Sequence, residues 1–232
     1  MITQLDTGHP LQYFPDIELA LEDPNGLLAI GGDLTPQRLL RAYQNGIFPW
    51  YSDDSPIMWW SPDPRMILLP DQFKPSRSLR KILRRGDFTI TCDLAFNQVI
   101  RACAEPRDED QGTWITQQMI NAYNQLHELG IAHSIEAWSN KQLVGGLYGV
   151  SIGQVFFGES MFSRESNASK AALATFMQSA RNWNYQLVDC QIYSDHLASL
   201  GATSMPRKHF KQLLETYCHT QLSTVAWQKM VD

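Results

Sequence analysis

Residues 132–163 confine the chain to few folds. Polar and apolar residues alternate over 133–138 and again over 142–150, with the turn signal Ser139-Asn140 between them, so the two runs pair as a β-hairpin. Gly153 turns the chain into a third strand at 155–157. An Ala-rich segment, 167–183, then gathers Ala171, Leu173, Ala174, Phe176 and Met177 on one side and reads as the longest helix. Residues 187–191 form another strand, a short helix runs through Leu200, and a final helix begins at Pro206. Hairpin strands followed by a helix and a further strand predict an α+β domain, its long helix packed on a mixed sheet.

Upstream the texture changes. The first 60 or so residues are dense in Pro, Gly and Trp, a composition of turns and packed loops. Pro24-Asn25-Gly26 is a turn before the apolar run 27–30, and Thr35-Pro36 opens a helix that carries Leu39, Leu40 and Tyr43 on one side until Gly46. Residues 47–51 and 58–65 are aromatic and proline-locked, suited either to stacking a nucleobase or to packing between two domains. The expected division is a small N-terminal α/β domain, residues 1–63, and a second domain, residues 64–232. Within the latter, a strand at 66–69 precedes the basic block Lys74, Arg77, Arg80, Lys81, Arg84 and Arg85. The whole chain carries a net charge of -5, so the rest of it carries about -11. Ser76 can cap a helix here and Gly86 can end it. That places Arg77, Arg80, Lys81 and Arg84 on one face, able to hold several phosphates or merely to be solvated. Residues 88–92 read as a strand, Asp93 as the cap of a helix through Cys103, 105–110 as an acidic loop, and Thr116 as the cap of a helix reaching Leu129.

Chemistry concentrates between Leu143 and Gln191. Glu159 follows Phe156 and Phe157 and precedes Met161 and Phe162, which sets its carboxylate against apolar surface, costly without a partner. Asp189 and Gln191 follow Leu187 and Val188 at a strand's carboxyl end, on one side if the strand persists. Cys92, Cys103, Cys190 and Cys218 form no Cys-x-x-Cys, the six His no metal-spaced pair, and no Gly-rich phosphate loop occurs. A metal, a disulfide framework and a cofactor are therefore not called for. No apolar run approaches the roughly 20 residues of a membrane helix, and the N-terminus lacks signal-peptide features, so a cytoplasmic protein is expected.

Three antiparallel strands, a helix and a strand resemble the GNAT acyltransferase fold. Ser163-Arg164-Glu165-Ser166-Asn167-Ala168 stands where that family carries its coenzyme A phosphate loop and does not match it. An acetyl-CoA enzyme remains the alternative, and a non-catalytic RNA-binding module a third reading. A more specific resemblance rests on seven words: Pro-Asn-Gly-Leu-Leu-Ala from 24, Gly-Gly-Asp-Leu from 31, Gly-Ile-Phe-Pro-Trp from 46, Trp-Trp-Ser-Pro-Asp-Pro-Arg from 59, Gly-Thr-Trp-Ile-Thr from 112, Gly-Glu-Ser-Met-Phe-Ser from 158 and Asp-Cys-Gln from 189. These resemble the leucyl/phenylalanyl-tRNA-protein transferase family.

The resemblance implies a GNAT-like catalytic domain behind the small N-terminal one, and transfer of Leu or Phe, Met less well, from aminoacyl-tRNA to proteins with N-terminal Arg or Lys. Such transfer makes a degradation signal. It implies neither metal nor coenzyme A, and a monomer is expected. Residue by residue, Trp50 and Trp114 would stack the donor base, and Phe156, Gly158, Met161, Leu173, Phe176, Val188 and Leu147 would line the aminoacyl pocket, the last with Val188 departing from the family pattern while staying apolar. The basic block would hold tRNA phosphates. Glu159 and Asp189 would face the cationic acceptor, Asp189 taking the proton and Gln191 orienting by hydrogen bonds, since a neutral amide is a poor base.

Overall fold

Two sheets organise the fold of the computed structural model, which describes residues 2–106 and 113–228. The smaller sheet contains β1 (Thr3–Leu5), β2 (Leu27–Gly31), β3 (Phe48–Pro49) and β4 (Met58–Trp60), in the order β1-β2-β4-β3. Between β2 and β3 lies α1 (Pro36–Gln44), with Pro36 in its first turn. Its buried Arg38 donates to the carbonyls of Asp6 (2.9 Å) and His9 (2.8 Å) and to Asp33 (3.2 Å), tying the N-terminal segment to the helix. Trp59 is fully buried, donates its indole N–H to the Gly31 carbonyl at 2.9 Å and meets Phe14 edge-on. It therefore packs, and offers no face to a base.

The larger sheet has seven strands: β5 (Arg65–Leu68), β6 (Thr89–Cys92), β7 (Ala132–Ser139), β8 (Gln142–Ile152), β9 (Val155–Ser163), β10 (Leu187–Gln191) and β11 (Thr203–Met205). Their order is β11-β5-β10-β9-β8-β7-β6, and only β9 and β10 run parallel. The helix α5 (Ala168–Asn182) makes the crossover that a parallel pair requires. This is the three antiparallel strands, helix and strand expected from the sequence. The hairpin turns on Asn140-Lys141, both at positive φ, one residue beyond the expected pair. On one face α5 buries Ala172, Leu173, Phe176 and Met177 against Phe156 and Val188. On the other, α3 (Phe96–Ala104) and α4 (Gln117–Glu128) pack with Tyr148 and Phe157 in a core that continues into α1 and the smaller sheet.

Capping chemistry sets several helix ends. Thr116 accepts from the Met119 N–H, and Ser76 does the same for Leu79 at the start of α2 (Arg77–Arg85), which Gly86 ends in a left-handed conformation. Asp93 departs from expectation. Its carboxylate accepts from the Ser134 N–H (2.9 Å) and lies 2.7 Å from His133 Nδ1, so α3 begins only at Phe96 without a side-chain cap. The last two helices are α6 (Asp195–Ser199) and α7 (Arg207–Tyr217). Part of the acidic loop and Gly112 lie outside the described residues.

Register irregularities cluster at one place. Gly149 pairs with Gly158 and Tyr148 with Ser160, which leaves Glu159 as an extra residue on β9. Asp189 pairs with Ile67 and Gln191 with Met66, which leaves Cys190 extra on β10. The β9–β10 pairing ends at Phe157 and Asp189. Two bulges thus sit side by side where the parallel strands part, and each re-aims the side chains that follow. Opposite them, a Cβ on Gly149 would lie 2.2 Å from the Phe157 carbonyl. Gly149→Ala should therefore lower the stability of the whole chain by about 3 kcal/mol or more, measured by urea unfolding. A change near zero would mean that the bulge is free to relax.

Candidate active site

Asp189 is fully buried, and the strand pairing that buries it also supplies its partner. Arg65, on β5, donates Nε to Asp189 Oδ1 at 2.8 Å and Nη2 to Oδ2 at 2.7 Å, while Nη1 reaches the Gly46 carbonyl at 3.0 Å. Its guanidinium lies between the rings of Phe48 and Phe210, 4.8 and 4.7 Å from their centroids. The backbone N–H of Gln191 also donates to Asp189 Oδ1, at 2.9 Å, closing the β10 bulge. Both oxygens of Asp189 are thereby engaged. To meet a substrate it would have to break a buried bidentate pair.

Glu159 occupies a different environment. Tyr43 donates to its Oε1 at 2.7 Å, Gln191 Nε2 to the same oxygen at 2.7 Å, and Tyr123 to Oε2 at 3.0 Å, while the two tyrosine hydroxyls are also in contact with each other. Three contacts among Tyr43, Tyr123 and Glu159 need three protons, and the two phenols bring only two. When protonated, the carboxyl group supplies the third and closes a ring of hydrogen bonds; when ionised, it accepts from both phenols. Burial raises the Glu159 carboxyl from its usual range and the three hydrogen bonds oppose that, leaving it at about 7. Burial first, and the Glu159 charge second, push both phenols well above their usual value, so they remain donors. Glu159 is thus a carboxyl able to exchange a proton near neutrality.

From the splayed strands a cavity of about 350 Å³ opens. Leu147, Phe156, Gly158, Met161, Leu173, Phe176 and Val188 all line it, and Trp114, Glu159 and Asp189 complete the set drawn from the sequence. Trp50 does not line it. That ring is about two-fifths exposed and meets Trp60 edge-on, while the adjacent Tyr51 donates to Gln118 on α4, near Trp114. Gln191 reaches the cavity through Glu159. Cys190 also faces it, and burial raises its thiol, which disfavours a thiolate nucleophile.

The six basic residues are all exposed. Arg85 is paired with Asp87, an acid just beyond the block that the count of charges left out, so the basic face is better represented by the other five. Lys74 shares a recess with Lys170, Ser199 and Leu200, and α6 carries His196 and Leu197 from there to the cavity wall. Reading from the sequence missed Arg65 and Tyr123, and gave Tyr43 only a packing role. A signal existed for Arg65 alone, an arginine directly before the apolar run 66–69. Tyr148 was missed as well; its buried hydroxyl has no hydrogen-bond partner among the described residues.

The family model described as leucyl/phenylalanyl-tRNA protein transferase matches residues 67–215, and the model of that family's N-terminal domain matches residues 32–63. The chain belongs to the leucyl/phenylalanyl-tRNA protein transferase family. The transferase of that name from Methylococcus capsulatus is 52% identical over 228 residues, 98% of this chain and 97% of its own. The one from Cellvibrio japonicus is 56% identical over 201 residues, 87% and 86% of the two chains. Among solved structures, the crystal structure of FemX shares 14% identity, with a TM-score of 0.48, over 78% of this chain and 71% of that one. Arg65 falls between the two ranges matched by the leucyl/phenylalanyl-tRNA protein transferase models, and joins them physically through Gly46, Phe48 and Asp189.

Two outcomes follow from the environments of Glu159 and Asp189. Because folding raises the Glu159 carboxyl from its usual range near 4.5 to about 7, the folded state binds the extra proton between those values. Stability held below about pH 4.5 is then lost as pH rises towards 7, by about 3 kcal/mol. Glu159→Gln cannot ionise, so urea unfolding from pH 5 to 7.5 should show wild type losing stability relative to it. Parallel curves would show that the carboxyl is not raised. Arg65→Met should cost about 3–5 kcal/mol by stranding Asp189, and Arg65→Met with Asp189→Leu should recover most of it.

Proposed function

We propose that this chain transfers Leu or Phe, and Met less well, from aminoacyl-tRNA to the N-terminal Arg or Lys of acceptor proteins, marking them for degradation. The reading places the protein in the cytoplasm and treats residues 1–63 as a small domain set on a catalytic domain of residues 64–232. The observation that carries it is the apolar cavity ending on Glu159. Its volume of about 350 Å³ suits one apolar or aromatic side chain. Its walls of Leu147, Phe156, Met161, Leu173, Phe176 and Val188 offer such a side chain only apolar contact, so discrimination among Leu, Phe and Met is modest.

In this reading the acceptor α-amine attacks the ester carbon of the donor directly. The new C–N bond forms, the C–O bond to the ribose breaks, and a proton must leave the nitrogen and reach the departing oxygen. An α-amine with a pKa near ~8 is about a tenth neutral at pH 7, so positioning and proton removal are the main tasks. Reading from sequence gave the proton to Asp189. The engaged oxygens of Asp189 support a different division: Asp189 fixes Arg65 and the β10 bulge, Gln191 orients Glu159, and Glu159 receives the proton and returns it to the ribose oxygen. Trp114 and Trp50 would hold the adenine, and Lys74, Arg77, Arg80, Lys81 and Arg84 the tRNA backbone.

The test is mass analysis of an Arg-initiated peptide incubated with the protein and leucyl-tRNA, with acetyl-CoA as the control acyl donor. A leucyl increment is expected, and an acetyl increment alone would overturn the reading. Glu159→Gln should cut kcat about a hundredfold or more and flatten the pH–rate profile near neutrality. Replacing Arg77, Arg80 and Arg84 by Ala should raise KM for charged tRNA and flatten its salt dependence, leaving phenylalanyl-adenosine nearly as good a donor as before. Equal loss with both donors would show that the helix does not act through tRNA phosphates.

A further inference from the structure

We propose that Glu105 reads the cationic side chain of the acceptor's first residue, in a second recess that opens off the aminoacyl cavity. The inference rests on the transferase reading and assigns a place within it. An acceptor beginning with Arg or Lys brings two cations, its α-ammonium and its side chain. The cavity holds two carboxylates, and neither suits the second cation. Asp189 is neutralised by Arg65, and Glu159, with nine-tenths of its surface buried, accepts three hydrogen bonds and in that reading is the group that deals with the α-amine. An anion for the side chain must come from elsewhere.

The second recess, about 500 Å³, shares Met161 and His196 with the first, so a peptide's first residue can reach into both. Glu105 stands on its wall as the residue that ends α3. There the free carbonyls of the last helical turn add to the negative potential of the carboxylate, an unfavourable place for an anion unless a cation joins it. A cation does. Arg164 Nη2 donates to Glu105 Oε1 at 2.6 Å, and its guanidinium lies 5.4 Å from the centroid of the Phe162 ring. A carboxylate, a helix C-terminus and an aromatic face are the three parts from which a site for Arg or Lys is built. In this structure a guanidinium of the same chain fills it. Both partners are about half exposed, so the pair is weakly held and can be exchanged. Arg164 is then an internal competitor of the acceptor side chain, and its removal should help the acceptor.

The experiment uses phenylalanyl-adenosine as donor and peptides that begin with Arg, Lys or citrulline, the neutral isostere of Arg. Wild type should favour Arg over citrulline. Glu105→Gln should lose about two- to fivefold of that preference through peptide KM, with kcat at saturation and KM for the donor unchanged. Arg164→Gln should instead lower KM for the Arg and Lys peptides severalfold. Retention of the full preference by Glu105→Gln overturns the inference. So does a rise in KM with both variants alike, which would make the pair structural. Absence of transfer by wild type refutes the transferase reading and is distinguishable from either result.

Discussion

A full positive charge without access to water has to be answered on every side, and Arg65 is answered from four parts of the chain. Asp189 on β10 takes two of its donors, the Gly46 carbonyl after α1 takes a third, and the rings of Phe48 and Phe210 cover its faces. A buried ion pair adds little net stability against apolar residues of the same volume, but losing one partner costs several kcal/mol. Its effect is therefore to exclude other arrangements. The small sheet, β5, β10 and α7 have to arrive together, because any one of them in another place strands a charge. Arg207 repeats the tie nearby, donating from its backbone to Asp63 and from its side chain to the Ser61 carbonyl.

Once Asp189 is fixed, the geometry of the site follows by short steps. Its Oδ1 also accepts from the Gln191 N–H, which holds Gln191 at positive φ beyond the bulge. That conformation turns the Gln191 amide towards Glu159, where it meets the phenols of α1 and α4. The bulge on β9 is what brings Glu159 to them. In regular alternation the residue after Gly158 would keep pairing with β8, whereas here Gly149 faces Gly158 and Glu159 is left over. Gly149 permits this because no side chain stands between the Phe157 carbonyl and β8.

Most elements were legible because local chemistry and tertiary context agree on them. The hairpin of β7 and β8, the caps at Ser76 and Thr116, and the apolar stripe of α5 each satisfy their own backbone or bury their own face. The cavity wall was legible for a related reason: apolar residues flank the acid in both sequence and space. What stayed hidden was pairing across long separations. Nothing local to Asp189 shows that Arg65, 124 residues away, takes its carboxylate, or that Tyr43 and Tyr123 bracket Glu159. Asp93 failed for the same reason. Its sequence position suits a cap, but the N–H of Ser134, across the β6–β7 pair, competes for its carboxylate and wins.

The two acids of the cavity show how environment divides one chemistry into two roles. Asp189 meets a cation with matched geometry, so its charge is bound into the fold. Glu159 meets only neutral donors, three of them, with most of its surface out of water. Hydroxyls and an amide lower the cost of its charge without cancelling it, and the carboxyl settles near neutrality at about 7. A guanidinium beside Glu159 would have made it a permanent anion, and an apolar wall alone would have kept it protonated. Three neutral donors leave it between those limits. Separating the roles depends on keeping Arg65 on β5, one strand away from β9 across β10. The strand order that closes the sheet therefore also decides which acid is bound to a cation and which carboxyl sits near neutrality.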